Sequence, residues 1–145
     1  MKVYLSGPID FTNQESLDAC KSWRGFAESK FSQNGIEAIN PMRGDSHLSP
    51  GQAFADLTNG KALVTRDMHD INRSDIMLVC FPEASSKRGI GTLMEMMFAH
   101  EQGLPIIMVD PGNQVSEHPW VKFTVTEFMP SIGEACSRIE RYWHD

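Results

Sequence analysis

The sequence predicts an α/β fold: a single domain, residues 1–145, on a doubly wound parallel sheet of four to five strands with helices on both faces. Three observations carry that expectation. Short apolar runs alternate with stretches of helical periodicity along the whole chain. Two of the runs, Ile76–Phe81 and Leu104–Val109, are apolar almost throughout, as in strands buried on both faces of a parallel sheet. No repeat, low-complexity tract or linker divides the chain.

The first strand is Lys2–Ser6, closed by the turn residues Gly7-Pro8. Residues 14–34 follow as a helix, because Leu17, Cys20, Trp23, Ala27 and Phe31 recur at steps of three and four; Gly35 is its stop. Ile36–Asn40 is the second strand, ended by Pro41. Residues 42–59 are rich in Gly, Ser, Pro and Asp and read as a long loop with a helical turn at Gln52–Leu57, the kind of loop that often binds or covers a ligand. Lys61–Arg73 is a helix turning Leu63, Val64, Met68 and Ile71 inward, and Asp75–Phe81 is the third strand. The loop Pro82–Gly91 leads to a helix from Thr92 to Gln102, which Gly103 ends. Leu104–Val109 is the fourth strand, Val121–Val125 an extended piece, and Ile132–Tyr142 the last helix. Strands alternating with helices in this way give a flavodoxin- or Rossmann-like sheet, whose ligand crevice lies at the carboxyl ends of the strands. Four loops meet there: Ser6–Asp10, Pro41–Asp45, Pro82–Gly91 and Asp110–His118.

Composition narrows the function. With 41% hydrophobic and 22% charged residues the chain is an ordinary globular domain, and its apolar runs are too short to cross a membrane. Nineteen acids against 13 bases, a net charge of −6, disfavour polymeric nucleic acid and anionic membranes as partners. Cys20, Cys80 and Cys136 are odd in number and far apart, which excludes a zinc knuckle or CxxC pair and fits buried thiols in a reducing compartment. The start runs straight into a strand with no signal-peptide pattern, so a cytoplasmic location is expected.

The chemistry-bearing residues fall in or beside the four loops. In Lys87-Arg88-Gly89-Ile90-Gly91-Thr92-Leu93-Met94-Glu95, the glycines allow close backbone approach, and Thr92 is a natural N-cap for a helix start that favours an anion. Glu95 stands three residues after Thr92. That is capping-box spacing, yet a carboxylate in the first turn at the mouth of the sheet is equally placed to be a nucleophile or base. Met94 occupies the third glycine position of a dinucleotide fingerprint, and no Walker loop is present. Asp67 and Asp70 share a helix face, but His69 projects elsewhere, so no metal is expected. Asp75 reads as a structural strand start, and Met94, Met96 and Met97 as core packing. His118-Pro119-Trp120 is either a stacking edge for a flat base or a surface turn.

Three blocks in order resemble the nucleoside 2-deoxyribosyltransferase-like family: Tyr4-Leu5-Ser6-Gly7-Pro8-Ile9, then Arg66-Asp67 with Ser74-Asp75 before an apolar strand, then Gly91-Thr92-x-x-Glu95-x-x-x-Ala99. The resemblance implies that Glu95 attacks the anomeric carbon of a (deoxy)ribose and forms a covalent sugar ester as the base leaves. It implies that Asp67 handles the sugar or the departing base, and that Tyr4 and Ser6, Gly7, Pro8 and Ile9 line the pocket. It further implies no cofactor or metal, and a homodimer or larger assembly in which C-terminal loops complete a neighbour's site. The Asn113–Trp120 loop, with Asn113, Ser116, His118 and Trp120, suits that role. One departure is informative. Where transferases of free nucleosides tend to carry an acid before the nucleophile, this chain has Ser85-Ser86-Lys87-Arg88-Gly89, suited to a phosphate, with Arg43 as helper. Gly89-Ile90-Gly91-Thr92-x-x-Glu95 is also similar to the motif of the lysine-decarboxylase-like phosphoribohydrolases, which cleave base from nucleotide. The expected function is therefore N-glycosidic cleavage of a (deoxy)nucleoside 5′-monophosphate. The alternatives are a deoxyribosyltransferase exchanging bases between nucleosides, or a nucleotide-binding sensor without turnover, against which the intact Glu95 and Asp67 argue.

Overall fold

A computed structural model describes residues 1–44, 49, 50, 60–85 and 89–144. Five strands, β1 (Lys2–Ser6), β2 (Glu37–Ile39), β3 (Ile76–Cys80), β4 (Ile106–Val109) and β5 (Glu127–Met129), form one sheet in the order β2-β1-β3-β4-β5. Every pairing is parallel, with Val3 opposite both Ala38 and Ile76, Met77 opposite Ile106 and Ile107 opposite Glu127. The helices are α1 (Gln14–Ser32), α2 (Gly60–Asn72), α3 (Ile90–Glu101), α4 (Pro119–Thr124) and α5 (Ile132–Arg138), the last continuing as a π-helical turn over Ile139–Trp143. The expected α/β class and doubly wound parallel topology are observed.

Strand alternation sorts the core into two layers. Val3, Leu5, Ile76, Leu78, Cys80, Ile107 and Val109 pack against Trp23, Ala27 and Phe31 of α1 and Ala135 and Cys136 of α5. Tyr4, Met77, Val79, Ile106 and Met108 face the other way, toward Ile71 of α2, Met96 and Ala99 of α3, and Val121 of α4. Cys20, Cys80 and Cys136 are free and buried. Chain order reverses at β1 and β3, whose neighbouring carboxyl ends open the crevice there.

Several elements differ from the sequence expectation. Asn13 caps α1 by accepting from Ser16 N at 2.8 Å, but the helix ends at Ser32, before the turn that brings Gly35 to a φ of 68°. Val121–Val125, expected to be extended, lies largely within α4: His118 Nδ1 accepts from Trp120 N at 3.3 Å and Pro119 opens the helix. Strand β5 lies further on, and its edge position explains its shortness. Of the α2 residues expected inside, only Ile71 is buried; Val64 is 56% and Met68 41% exposed. Of the methionines expected in the core, Met96 is buried, Met97 is half-buried and Met94 is 69% exposed. Asp75 is structural as expected, accepting from Lys2 N at 2.7 Å. The helical turn expected at Gln52–Leu57 lies outside the described residues.

Two glycines fix the crevice. A Cβ on Gly7 would stand 2.4 Å from Cys80 O, so only glycine lets the chain leave β1 against the end of β3. Gly89 has a φ of 63°, and a Cβ there would meet the Phe81 ring at 2.7 Å. Gly91, two residues further on, has nothing within 4 Å of its would-be Cβ. Gly89→Ala is therefore expected to lose about 1–3 kcal/mol of stability, from left-handed strain and the ring clash. Gly91→Ala is expected to stay within about 1 kcal/mol of the parent, since alanine favours a helix. Urea unfolding of the two variants checks this; equal losses would contradict it.

Candidate active site

Tyr4 and Ser6 are two residues apart on β1, so both side chains face the α2–α3 side of the sheet. Glu95 comes down on them from the second turn of α3. Ser6 Oγ donates to Glu95 Oε2 at 2.5 Å, and Tyr4 Oη donates to Glu95 Oε1 at 3.3 Å. Each carboxylate oxygen is thus held by a hydroxyl of the same strand. The capping alternative for Glu95 does not survive this geometry. Gly89 is the N-cap of α3, no side chain caps the helix, and Thr92 is a buried residue inside the first turn rather than the cap.

Burial pushes the Glu95 carboxyl up to about 7, and the nearby charge of Asp67 adds to the rise. The Ser6 and Tyr4 hydrogen bonds and the charge of Arg24 pull against it. Burial, helped by the Glu95 charge, keeps the Tyr4 phenol protonated far above neutrality. Asp67 on α2 is also raised by burial, although Arg66, with Nη2 3.1 Å from Asp67 Oδ1, opposes the shift. Arg66 is itself held by Pro41 O at 2.8 Å, which ties α2 to the loop after β2. Two carboxyls held up by burial at one crevice are the arrangement in which one group ionises while another stays a proton donor.

These groups open on a cavity of about 720 Å³ lined by Gly7, Pro8, Ile9, Asp67, Gly89, Gly91, Thr92 and Glu95. The size suits a small molecule. Leu63, Val64, Met68 and Ile71 of α2 and Ile90, Met94 and Phe98 of α3 complete it. This apolar wall is what sequence reasoning missed. Its spacing on α2 read as a core stripe, because a helix face that lines an apolar cavity carries the same pattern as one that packs on the sheet.

The other expected site residues that the structure describes lie outside this cavity. Arg43 does not line the cavity: its Nη2 is 2.7 Å from Asp70 Oδ2 and its Nη1 donates to Asn40 O at 3.1 Å. Asp70 is buried, and although burial opposes ionisation, hydrogen bonds from Arg43 and Arg73 outweigh it and hold the carboxyl below its usual range. The Ser85 hydroxyl is buried and donates inward to Asp10 Oδ2 at 3.4 Å. Asn113, at a φ of 50°, accepts a hydrogen bond from Ser116 Oγ. His118 lines a neighbouring cleft of about 410 Å³ with Trp120, and that cleft shares Ile90 and Met94 with the main cavity. Ser86, Lys87 and Arg88 lie outside the described residues. Among the described residues no group of three or more His, Cys, Asp or Glu is placed to hold a metal ion, and no helix is long and apolar enough to cross a membrane.

In sequence comparison no family model and no curated protein matches the chain. Its fold does have solved counterparts. A 2-deoxyribosyltransferase from Bacillus psychrosaccharolyticus superposes with a TM-score of 0.67 at 17% identity, over 98% of this chain and 92% of that one. A conserved protein from Enterococcus faecalis V583 gives a TM-score of 0.65 at 14% identity, over 97% of each chain. A CMP N-glycosidase from Clostridium botulinum gives 0.57 at 16% identity, over 98% of this chain and 100% of that one. The chain therefore has the fold of nucleoside deoxyribosyltransferases and of a nucleotide N-glycosidase, which is the resemblance read from its sequence blocks.

Proposed function

We propose that this chain is an enzyme of the nucleoside 2-deoxyribosyltransferase-like family that hydrolyses the N-glycosidic bond of a (deoxy)nucleoside 5′-monophosphate. The observation that carries the reading is Glu95, a carboxylate gripped by Tyr4 and Ser6 at the floor of an apolar cavity that Asp67 also lines. A Glu95 oxygen bonds to the anomeric carbon as the carbon–nitrogen bond breaks and its electron pair leaves with the base. Asp67, in its protonated form, supplies the proton the base takes up. Water then adds to the anomeric carbon, loses a proton to a site carboxylate, and frees Glu95 and the sugar 5-phosphate. The likeness of fold to a CMP N-glycosidase supports this class of substrate, and the likeness to a deoxyribosyltransferase supports the shared covalent step.

The phosphate is assigned to the loop that feeds α3. Ser85 roots the loop on Asp10; Ser86, Lys87 and Arg88 follow, and the helix opens with no acidic residue in its first turn. Free amides at a helix start and two cations suit a dianion. A second copy of the chain is proposed to close the cavity through the Asn113–Trp120 loop, because the cleft beside that loop shares walls with the cavity. The enzyme is expected to work in the cytoplasm without metal or cofactor.

Chromatography of free base from each (deoxy)nucleoside and its monophosphate tests the reading. Release from monophosphates alone supports the hydrolase; base exchange between nucleosides would instead make the chain a transferase, and binding without product a sensor. Arg88→Ala is expected to raise KM for the monophosphate by about tenfold or more, since a charge-assisted bond is worth roughly 1.5–3 kcal/mol. It should leave turnover of the matching nucleoside almost unchanged; equal losses on both substrates would remove Arg88 from the phosphate site.

Glu95→Gln is expected to lower kcat by about 100-fold or more. The wild-type rate is expected to rise with pH as Glu95 ionises and to fall again as Asp67 loses its proton, because the nucleophile is the ionised form of Glu95 and the acid is the protonated form of Asp67. Stability should fall as pH rises. The folded carboxyl keeps its proton up to about 7 and the ordinary one only up to 4.5, so ionisation penalises the folded state as pH rises through that window. Glu95→Gln, which does not ionise, is thus expected to exceed the wild type by about 3 kcal/mol at about pH 8 and to lose the advantage below about pH 4.5. Denaturant unfolding at the two pH values reads this, and a less stable variant at high pH would contradict the buried setting of Glu95.

A further inference from the structure

The buried stripe of α1 contains an arginine. Leu17, Cys20, Arg24, Ala27 and Phe31 follow one another at steps of three and four, and Arg24 is as fully buried as its apolar neighbours. Its Nη2 donates to Gly7 O at 2.9 Å and its Nη1 to Cys20 O at 2.9 Å; the guanidinium carbon lies 4.5 Å from the Trp23 ring centroid. Its Nε has no hydrogen-bond partner, and among the described residues the guanidinium enters no ion pair. A buried guanidinium without a counter-ion is costly to the fold, and an apolar side chain of similar length would fill the stripe without that cost.

What the charge reaches is the crevice. Its field acts on Cys20, Glu95, Cys80 and Tyr4. Burial holds Cys20, Cys80 and Tyr4 in their neutral forms, so Glu95 is the one member of the set that becomes an anion near neutrality. The other groups that bear on Glu95 are Ser6 and Tyr4 from β1, which stabilise the anion by hydrogen bonding, and Asp67 from α2, which opposes it. The hydrogen bond to Gly7 O acts on the same group by geometry, since Gly7 follows directly on the Ser6 that donates to Glu95.

We propose that Arg24 is a positioning residue for Glu95. It pins the Gly7 carbonyl so that Ser6 stays in place beneath the carboxylate, and its unpaired charge favours the ionised form of Glu95 across the end of the sheet. The role rests on the reading of Glu95 as the reacting group.

The test follows the Glu95 carboxyl by ¹³C NMR in protein labelled at the glutamate side-chain carboxyl carbon, with the resonance assigned by its loss in Glu95→Gln. Arg24→Met, which removes the charge and the donors, is expected to make Glu95 a weaker acid by about tenfold. Arg24→Lys, whose amine can still donate to Gly7 O, is expected to titrate between wild type and Arg24→Met, because a buried lysine gives up its charge more readily than an arginine. In base release, Arg24→Met should lower kcat near neutrality by about tenfold, with little change in KM. A folded Arg24→Met whose Glu95 titrates as in wild type would overturn the proposal. If that variant does not fold, Arg24→Gln, neutral but with an amide donor for Gly7 O, makes the same measurement with the same two outcomes. The titration needs no turnover, so absence of base release from every substrate would remove the glycosidase reading while the NMR alone decides on Arg24.

Discussion

The crevice depends on two hydrogen bonds from β1 to a single carboxylate. Ser6 and Tyr4 are fully buried, and each spends its hydroxyl on Glu95. A carboxylate facing an apolar cavity loses hydration, and charge-assisted hydrogen bonds worth roughly 1.5–3 kcal/mol each return part of that loss. The balance leaves Glu95 titrating at about 7, where both the ionised and the neutral form are accessible. The glycine positions serve this contact. Gly7 brings the end of β1 against β3 next to Ser6, and Gly89 starts α3 early enough that Glu95 falls on the second turn instead of the first.

The cavity divides its labour by wall. The floor comes from the loop after β1 and the start of α3 and carries the Glu95 carboxylate, while the sides are the apolar faces of α2 and α3. Such a cavity offers a small apolar group dispersion and exclusion of water beside a carboxylate, as the proposed substrate requires. The charged residues beside it are arranged to stay out. Asp70 engages Arg43 and Arg73, and Arg66 is held between Asp67 and Pro41 O. Among the described residues, Arg43, Arg66 and Arg73 are thereby kept from contact with Glu95.

Much of this was legible in the sequence, and where it was not the reason is physical. Continuous apolar strands identified the parallel sheet, and the loops at their carboxyl ends pointed to Ser6, the glycines and the neighbouring Glu95, whereas Asp67 entered through the family resemblance. Thr92 and Glu95 at capping-box spacing looked like a cap because side-chain spacing does not reveal where a helix starts; the left-handed Gly89 moves the start to Ile90. Val121–Val125 looked extended from its alternation and β-branched residues, yet His118-Pro119 carried the helix-start signal that prevails. Leu63, Val64, Met68 and Met94 looked like core because binding cavities and cores are lined by the same residue types. Arg24 was in plain view as a charge on an apolar stripe, a local conflict of the kind that marks functional positions.

In the proposed reaction Glu95 itself bonds to the sugar. Base release run in dilute methanol tests it, with the configuration of the methyl glycoside read by NMR. A covalent Glu95 ester requires two displacements at the anomeric carbon, so the methyl glycoside should retain the configuration of the substrate. An inverted methyl glycoside would mean that solvent attacks the carbon directly, with Glu95 acting as a base, and would contradict the covalent role assigned to it.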